Sequence, residues 1–275
     1  MARGVKKSLL LSQNPKCIYC GGGACSTTWD HMPNKGMFPK DRPGGLEFPS
    51  CYECNHGSKW FEDIASFVGS VQLASDGQKI TTMHFTNKLT HLLKVHPNIA
   101  DELRPTFRQK KEMRKVARAG ALESAAFNLQ GPTVSLALRL YGAKLALALH
   151  WAETGQILAT TGQVGVICYS NEVKYKGGVP QDLFDMLPDQ RTLKQGKKTS
   201  AYPFSFSSGK ATDTDATAHW ACFSDAFMYY LFAGQTFDFS ILPPDHVFSP
   251  GCLQTPKPPP LAARFGWGIS PDSFF

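Results

Sequence analysis

The hydrophobic pattern of this chain changes period along its length. From residue 133 to residue 155, "TVSLALRLYGAKLALALHWAETG" is apolar on almost every side, which predicts a long, largely buried helix ending near Gly155. Upstream of it, "NKLTHLLKV" and "RPTFRQKKEMRKVARAGALESAAFNL" carry apolar residues at helical spacing. Downstream, "TGQVGVICYSNEV", "AYPFSFSS", "HWACFSDAFMYYLFAG" and "TFDFSIL" are aromatic and β-branched runs divided by Gly, Asp and Lys clusters, which predict antiparallel strands. Helices followed by a sheet make residues 71–253 an α+β body. Residues 16–70 follow neither period. They form a Cys- and Gly-rich module punctuated by "GGG", "NKG" and "RPGG", too small to bury much core and in need of a metal to hold its shape. A basic tail over residues 1–15 precedes it. The stiff segment "QTPKPPP" opens a Pro-rich C-terminal tail, residues 254–275.

Composition narrows the function classes. The 275 residues are 42% apolar, and 29 Lys and Arg against 22 Asp and Glu give a formal net charge of +7, which favours a polyanionic partner. The apolar run Leu9 to Leu11 is too short for a secretory signal, and Val134 to Trp151 is interrupted by Arg139, Lys144 and His150, so neither predicts a membrane segment. The expected setting is the cytoplasm. Thiols stay reduced there, and clustered cysteines read as metal ligands. Cys25, Cys168, Cys222 and Cys252 stand apart and read as free thiols.

Cys17-x-x-Cys20 and Cys51-x-x-Cys54 are two chelating pairs thirty residues apart, each able to turn two thiolates toward one tetrahedral ion. Four thiolates close the coordination shell of Zn²⁺. The ion they predict is therefore structural and activates no water.

Asp30, His31, Asn55 and Lys59 are left over once the zinc is accounted for. Taken singly, Asp30 is also compatible with capping a turn, Asn55 with capping a helix, His31 with a surface or core role and Lys59 with solvent. In order along the chain, Cys-x-x-Cys, Asp-His-x-Pro and Cys-x-x-Cys-Asn-x-x-x-Lys resemble the HNH endonuclease family in its zinc-stapled form. The resemblance covers residues 16–70 and implies a ββα-metal fold, with Asp-His on the first strand and the last Cys-Asn opening the helix. It implies His31 as the general base that activates a water, and Asp30 and Asn55 as ligands of a catalytic Mg²⁺ or Mn²⁺. Imidazole titrates near neutral pH, and carboxylate and amide oxygens suit a hard cation. Lys59 is a candidate phosphate contact. An Asp-His-x-Pro-x-x-x-x-Phe-Pro run followed by Pro-x-Cys-x-x-Cys-Asn resembles a bacterial subgroup of the family, which implies a bacterial or phage setting such as restriction, anti-phage defence or mobile-element biology. One position departs from the pattern: where relatives carry an Asn that orients the histidine, five residues before the third Cys, this chain has Leu46. His56, Glu62 and Asp63 follow on the expected helix and are candidates for a further ligand or a phosphate-facing contact, although the two acids read mainly as surface charges.

Arg104, Arg108, Lys111, Lys115 and Arg118 recur at helical spacing and form a candidate phosphate-contacting stripe, a solvated helix face being the alternative. The aromatic-rich second part carries no motif, and His150 and His219 read as structural. That part is a candidate for substrate selection, self-association or contact with a regulatory partner. The expectation is thus a metal-dependent nuclease acting on nucleic acid, with DNA favoured by the resemblance. The rival is a zinc-stabilised module that binds nucleic acid or a protein without catalysis.

Overall fold

The computed structural model describes residues 9, 11–38, 41–71, 82–105, 107, 111, 127–170, 181–187, 189–201, 203–224 and 226–257. Two short strands, β1 (Thr28–His31) and β2 (Glu47–Ser50), pair antiparallel and lead into helices α1 (Tyr52–Gly57) and α2 (Lys59–Ser70). Helices α3 (Thr82–Val95) and α4 (Ile99–Leu103) follow, and then the long α5 (Pro132–Thr154). Pro132 sits in the first turn of α5, where its missing N–H costs nothing, and Gly155 closes the helix in the left-handed region at φ 68°.

The remaining elements are β3 (Gln163–Ser170), the short helix α6 (Gln181–Asp185), a small hairpin of β4 (Lys194–Gln195) and β5 (Lys198–Thr199), and strands β6 (Ser205–Lys210), β7 (Thr217–Phe223), β8 (Phe227–Gly234) and β9 (Val247–Phe248). Strands β6-β7-β8-β3-β9 form one antiparallel sheet in that order. Helices first and an antiparallel sheet after them is the α+β order that the hydrophobic periods predict. Among the described residues no helix is long and apolar enough to cross a membrane.

Alternation along the strands sorts the two faces of the sheet. Val164, Val166, Tyr229, Leu231 and Ala221 look inward onto α5, while Trp220, Met228 and Tyr230 form a second cluster on the outer face with Phe184 and Leu187. On the inner face the expected structural histidines are buried. His150 Nδ1 lies 3.0 Å from Thr217 Oγ1, and His219 bridges Thr217 and Ser208. Burial first, and then the neighbouring His150, push His219 down to about 3.

"TFDFSIL" departs from expectation. Phe239–Ile241 is a 3₁₀ turn, because the Asp238 carboxylate accepts the Ser240 N–H at 2.9 Å. That local bond offers the backbone an alternative to a strand ladder, and Phe237 stacks on Phe232 without pairing.

α5 can approach the sheet closely because position 142 is glycine. A Cβ there would lie 2.5 Å from Val166 Cγ1 and 3.0 Å from the Tyr229 ring. Gly142→Ala gains about 1 kcal/mol of helix propensity but overpacks this contact at a cost of about 1–3 kcal/mol. We expect a net loss of stability in urea unfolding. A variant as stable as wild type would show that α5 and the sheet are not in tight contact.

Candidate metal centre and hairpin site

The four sulfur atoms of Cys17, Cys20, Cys51 and Cys54 lie within 4.8 Å of one another. A tetrahedral Zn²⁺ with Zn–S near 2.3 Å separates its thiolates by about 3.8 Å, so the group fits the ion. Local backbone geometry explains the gathering. Gly21 and Gly22 take positive φ, which lets the chain turn back after Cys20, and Cys17 N–H then donates to the Ala24 carbonyl at 2.9 Å. Cys51 caps α1, its sulfur accepting the Cys54 N–H at 3.4 Å. A fourth element completes the surroundings: the Gln254 side-chain amide donates to Cys54 Sγ at 3.7 Å. Among the described residues this is the only group of three or more His, Cys, Asp or Glu placed to hold a metal.

The remaining candidates divide between the two sides of the β1–β2 hairpin. Successive strand residues point to opposite faces, so Asp30 turns inward with its register partner Phe48, and His31 stays outside with its register partner Glu47. His31 is one-third exposed, and its Nε2 lies 3.7 Å from Glu47 Oε1. Partial burial, then the positive charge of Arg42, lower the imidazole from its ordinary range, with Glu47 acting the other way. Leu46 adopts φ 49°, and its carbonyl takes the Met32 N–H at 3.1 Å. It offers His31 no side-chain acceptor, and Glu47, one residue after the position where the resemblance expects the orienting Asn, is the polar side chain beside the ring. Behind His31, the Arg42 guanidinium donates to the carbonyls of Met32, Pro33, Pro43, Gly45 and Leu46 at 2.7 to 3.2 Å, holding the loop between the strands.

Asp30 is 6% exposed and faces a polar cluster inside the protein. Its Oδ2 accepts the Tyr19 hydroxyl at 2.6 Å and the Lys144 ammonium at 2.8 Å. Lys144 comes from the middle of α5, is fully buried, and also donates to Ser58 Oγ at 3.0 Å and to Glu62 Oε1. Burial alone would drive this ammonium down, but Asp30 and Glu62 outweigh burial and hold it above its ordinary value. Asn55 lies on the same side of the hairpin, its amide donating to Thr28 Oγ1 at 2.9 Å. Asp30 therefore does not fit a divalent ion as it stands, because its carboxylate already faces a cation, while the Asn55 amide nitrogen is engaged by the Thr28 hydroxyl. Mg²⁺ and Mn²⁺ have no support at this position.

Lys59 is exposed, at the start of α2, and His56 stacks on Tyr52 at 3.9 Å between ring centroids. Glu62 and Asp63, read from sequence mainly as surface charges, both turn inward. Glu62 joins the Lys144 cluster, and Asp63 lies 3.6 Å from the buried His96 and 3.9 Å from His91. Of the basic stripe, Arg104 is exposed and pairs with Asp101 at 3.4 Å, and Lys111 is exposed. Arg108, Lys115 and Arg118 lie outside the described residues. Sequence reasoning passed over Lys144, Tyr19, Arg42, Glu47 and Gln254. A lysine inside an otherwise apolar helix was the one signal available for this group.

Compared with models of known families, with curated proteins and with solved structures, the chain finds no match.

Two outcomes check this description. The protein should carry one zinc per chain by elemental analysis, and Cys51→Ser should lose the metal together with several kcal/mol of stability, since ion and module fold together. Full stability of a zinc-free Cys51→Ser chain would refute the staple. In an NMR titration His31 should protonate below the ordinary histidine value of about 6.5. Glu47→Gln should lower it further, because removing a nearby negative charge disfavours imidazolium. An upward shift would mean that Glu47 does not face the ring.

Proposed function

We propose that the chain is a nuclease of the HNH type that hydrolyses phosphodiester bonds in nucleic acid, DNA by the resemblance, with His31 as general base. The placement of His31 supports this reading. A partly exposed imidazole ends the first strand of a hairpin stapled by four cysteines, with Glu47 beside it and an arginine-held loop behind it. Such an imidazole can take a proton from a water that attacks phosphorus on the solvent side of the hairpin, as the P–O ester bond to the leaving oxygen breaks and that oxygen takes a proton from solvent. Exposed Lys59, Arg104 and Lys111, together with a net charge of +7, suit a backbone-contacting surface whose affinity falls with salt. The divalent ion first expected at Asp30 and Asn55 forms no part of the proposal.

A specific observation favours a second reading. Lys144 already compensates Asp30 inside the protein, as it would in a zinc-stabilised nucleic-acid-binding module without catalysis.

Zinc-loaded wild type and His31→Ala are incubated with plasmid and with RNA, in Mg²⁺, in Mn²⁺ and in EDTA, and binding is followed in parallel. We expect cleavage by wild type and a loss of about 10²–10⁴-fold in the variant, the usual contribution of a general base. Equal cleavage by both chains would sink the role of His31. Binding without cleavage by either would establish the second reading.

A further inference from the structure

The ammonium of Lys144 has three N–H donors and meets three acceptors: Asp30 Oδ2, Ser58 Oγ and Glu62 Oε1. Each acceptor is fixed from elsewhere. Asp30 Oδ2 also takes the Tyr19 hydroxyl, from the turn between Cys17 and Cys20. Ser58 lies at the junction of α1 and α2, its hydroxyl in contact with the Asn55 carbonyl and Glu62 Oε1. The cluster is largely withdrawn from water, with Lys144 side-chain exposure at 0%, Asp30 at 6% and Glu62 at 14%. The ammonium also lies 5.3 Å from the centre of the Tyr19 ring, on its face.

A divalent ion at this point would need a different shell. Mg²⁺ takes six oxygen ligands at about 2.0–2.1 Å and keeps several waters. The cluster holds one nitrogen cation at hydrogen-bond distance from its acceptors, with all three of its N–H donors satisfied. The positive charge between the two carboxylates is already supplied, and one oxygen of each is committed to it.

We propose that the ammonium of Lys144 occupies the cation position between Asp30 and Glu62, to the exclusion of a divalent ion. This rests on the HNH reading only for equating the position with that of the family's catalytic metal. The chain carries its own cation there on the stem of a helix residue, so no Mg²⁺ or Mn²⁺ enters between β1 and α2. A fully buried ammonium also touches no substrate. Lys144 is accordingly a positioning residue for the hairpin and not a catalytic one.

The experiment is a Mn²⁺ titration of the zinc-loaded full chain, with free Mn²⁺ read by electron paramagnetic resonance. Wild type should show no site that Asp30→Asn removes. Lys144→Ala should gain about one bound Mn²⁺ per chain, supplied by the two freed carboxylates. That site should vanish in Asp30→Asn/Lys144→Ala. A Mn²⁺ site in wild type that is lost in Asp30→Asn would overturn the proposal, as would a folded Lys144→Ala chain that binds no added Mn²⁺. Removing the ammonium leaves two carboxylates facing each other, so Asp30→Asn/Lys144→Met serves as the folding control. If that control folds and Lys144→Ala does not, refolding of Lys144→Ala with and without Mn²⁺ is followed by circular dichroism. Recovery only with Mn²⁺ supports the proposal, and no recovery overturns it. No nucleic acid enters these measurements, so a chain that cuts nothing leaves the proposal standing. Mn²⁺ bound at Asp30 in wild type would sink it and leave the nuclease reading intact.

Discussion

The enclosure of one ammonium between Asp30 and Glu62 ties the cysteine module to the rest of the chain. Taking these charges out of water is costly, and the cost is offset only when each donor meets an acceptor in good geometry. Here that requires the Cys17–Cys20 turn, strand β1, the α1–α2 junction and helix α5 all to be in place. Removing one partner of such a pair costs about 3–5 kcal/mol, because the other charge stays buried and uncompensated. An apolar contact would tolerate some sliding of the module on α5, whereas this cluster fixes its register.

The four-cysteine group and the Lys144 cluster are joined by short links along the chain and by one hydrogen bond. Tyr19 is flanked by two ligands of the expected ion, and Ser58 donates its N–H to the carbonyl of a third, Cys54. Holding the sulfurs in a tetrahedron therefore also fixes two of the groups around Lys144. The hairpin is left with two faces of different character. The inner face is saturated with structural bonds, and the outer one presents His31 beside Glu47. Arg42 and Glu47 act on the imidazole with opposite sign, and burial adds to the effect of Arg42.

Features set by local sequence were legible and those set by distant partners were not. Two Cys-x-x-Cys pairs carry their own geometry, and the helix over 133–155 and four of the five sheet strands follow from apolar period and punctuation. Lys144 reads as a mere interruption of an apolar run because Ser58 and Glu62 lie 86 and 82 residues before it. Glu62 and Asp63 read as surface charges because an isolated helix would leave them in water, yet α2 is covered from several sides and buries Ile64 through Ser70 without a break. The run at 236–242 had the alternation of a strand, and one Asp side chain turned it into a 3₁₀ turn.

Residues 251–255 return to the cysteine module and cover one side of it. Gly251 N–H donates to the Tyr19 carbonyl at 2.7 Å, Trp60 donates to the Thr255 carbonyl at 3.2 Å, and Gln254 reaches Cys54. Gly57 allows this approach: a Cβ there would lie 2.7 Å from the Leu253 carbonyl oxygen. With this segment on one side and α5 on another, the module shares a continuous core with the body, from Cys17 to Leu253. On the proposed reading, a nucleic acid would meet His31 on the outer face of the hairpin, since the inner face is packed into that core.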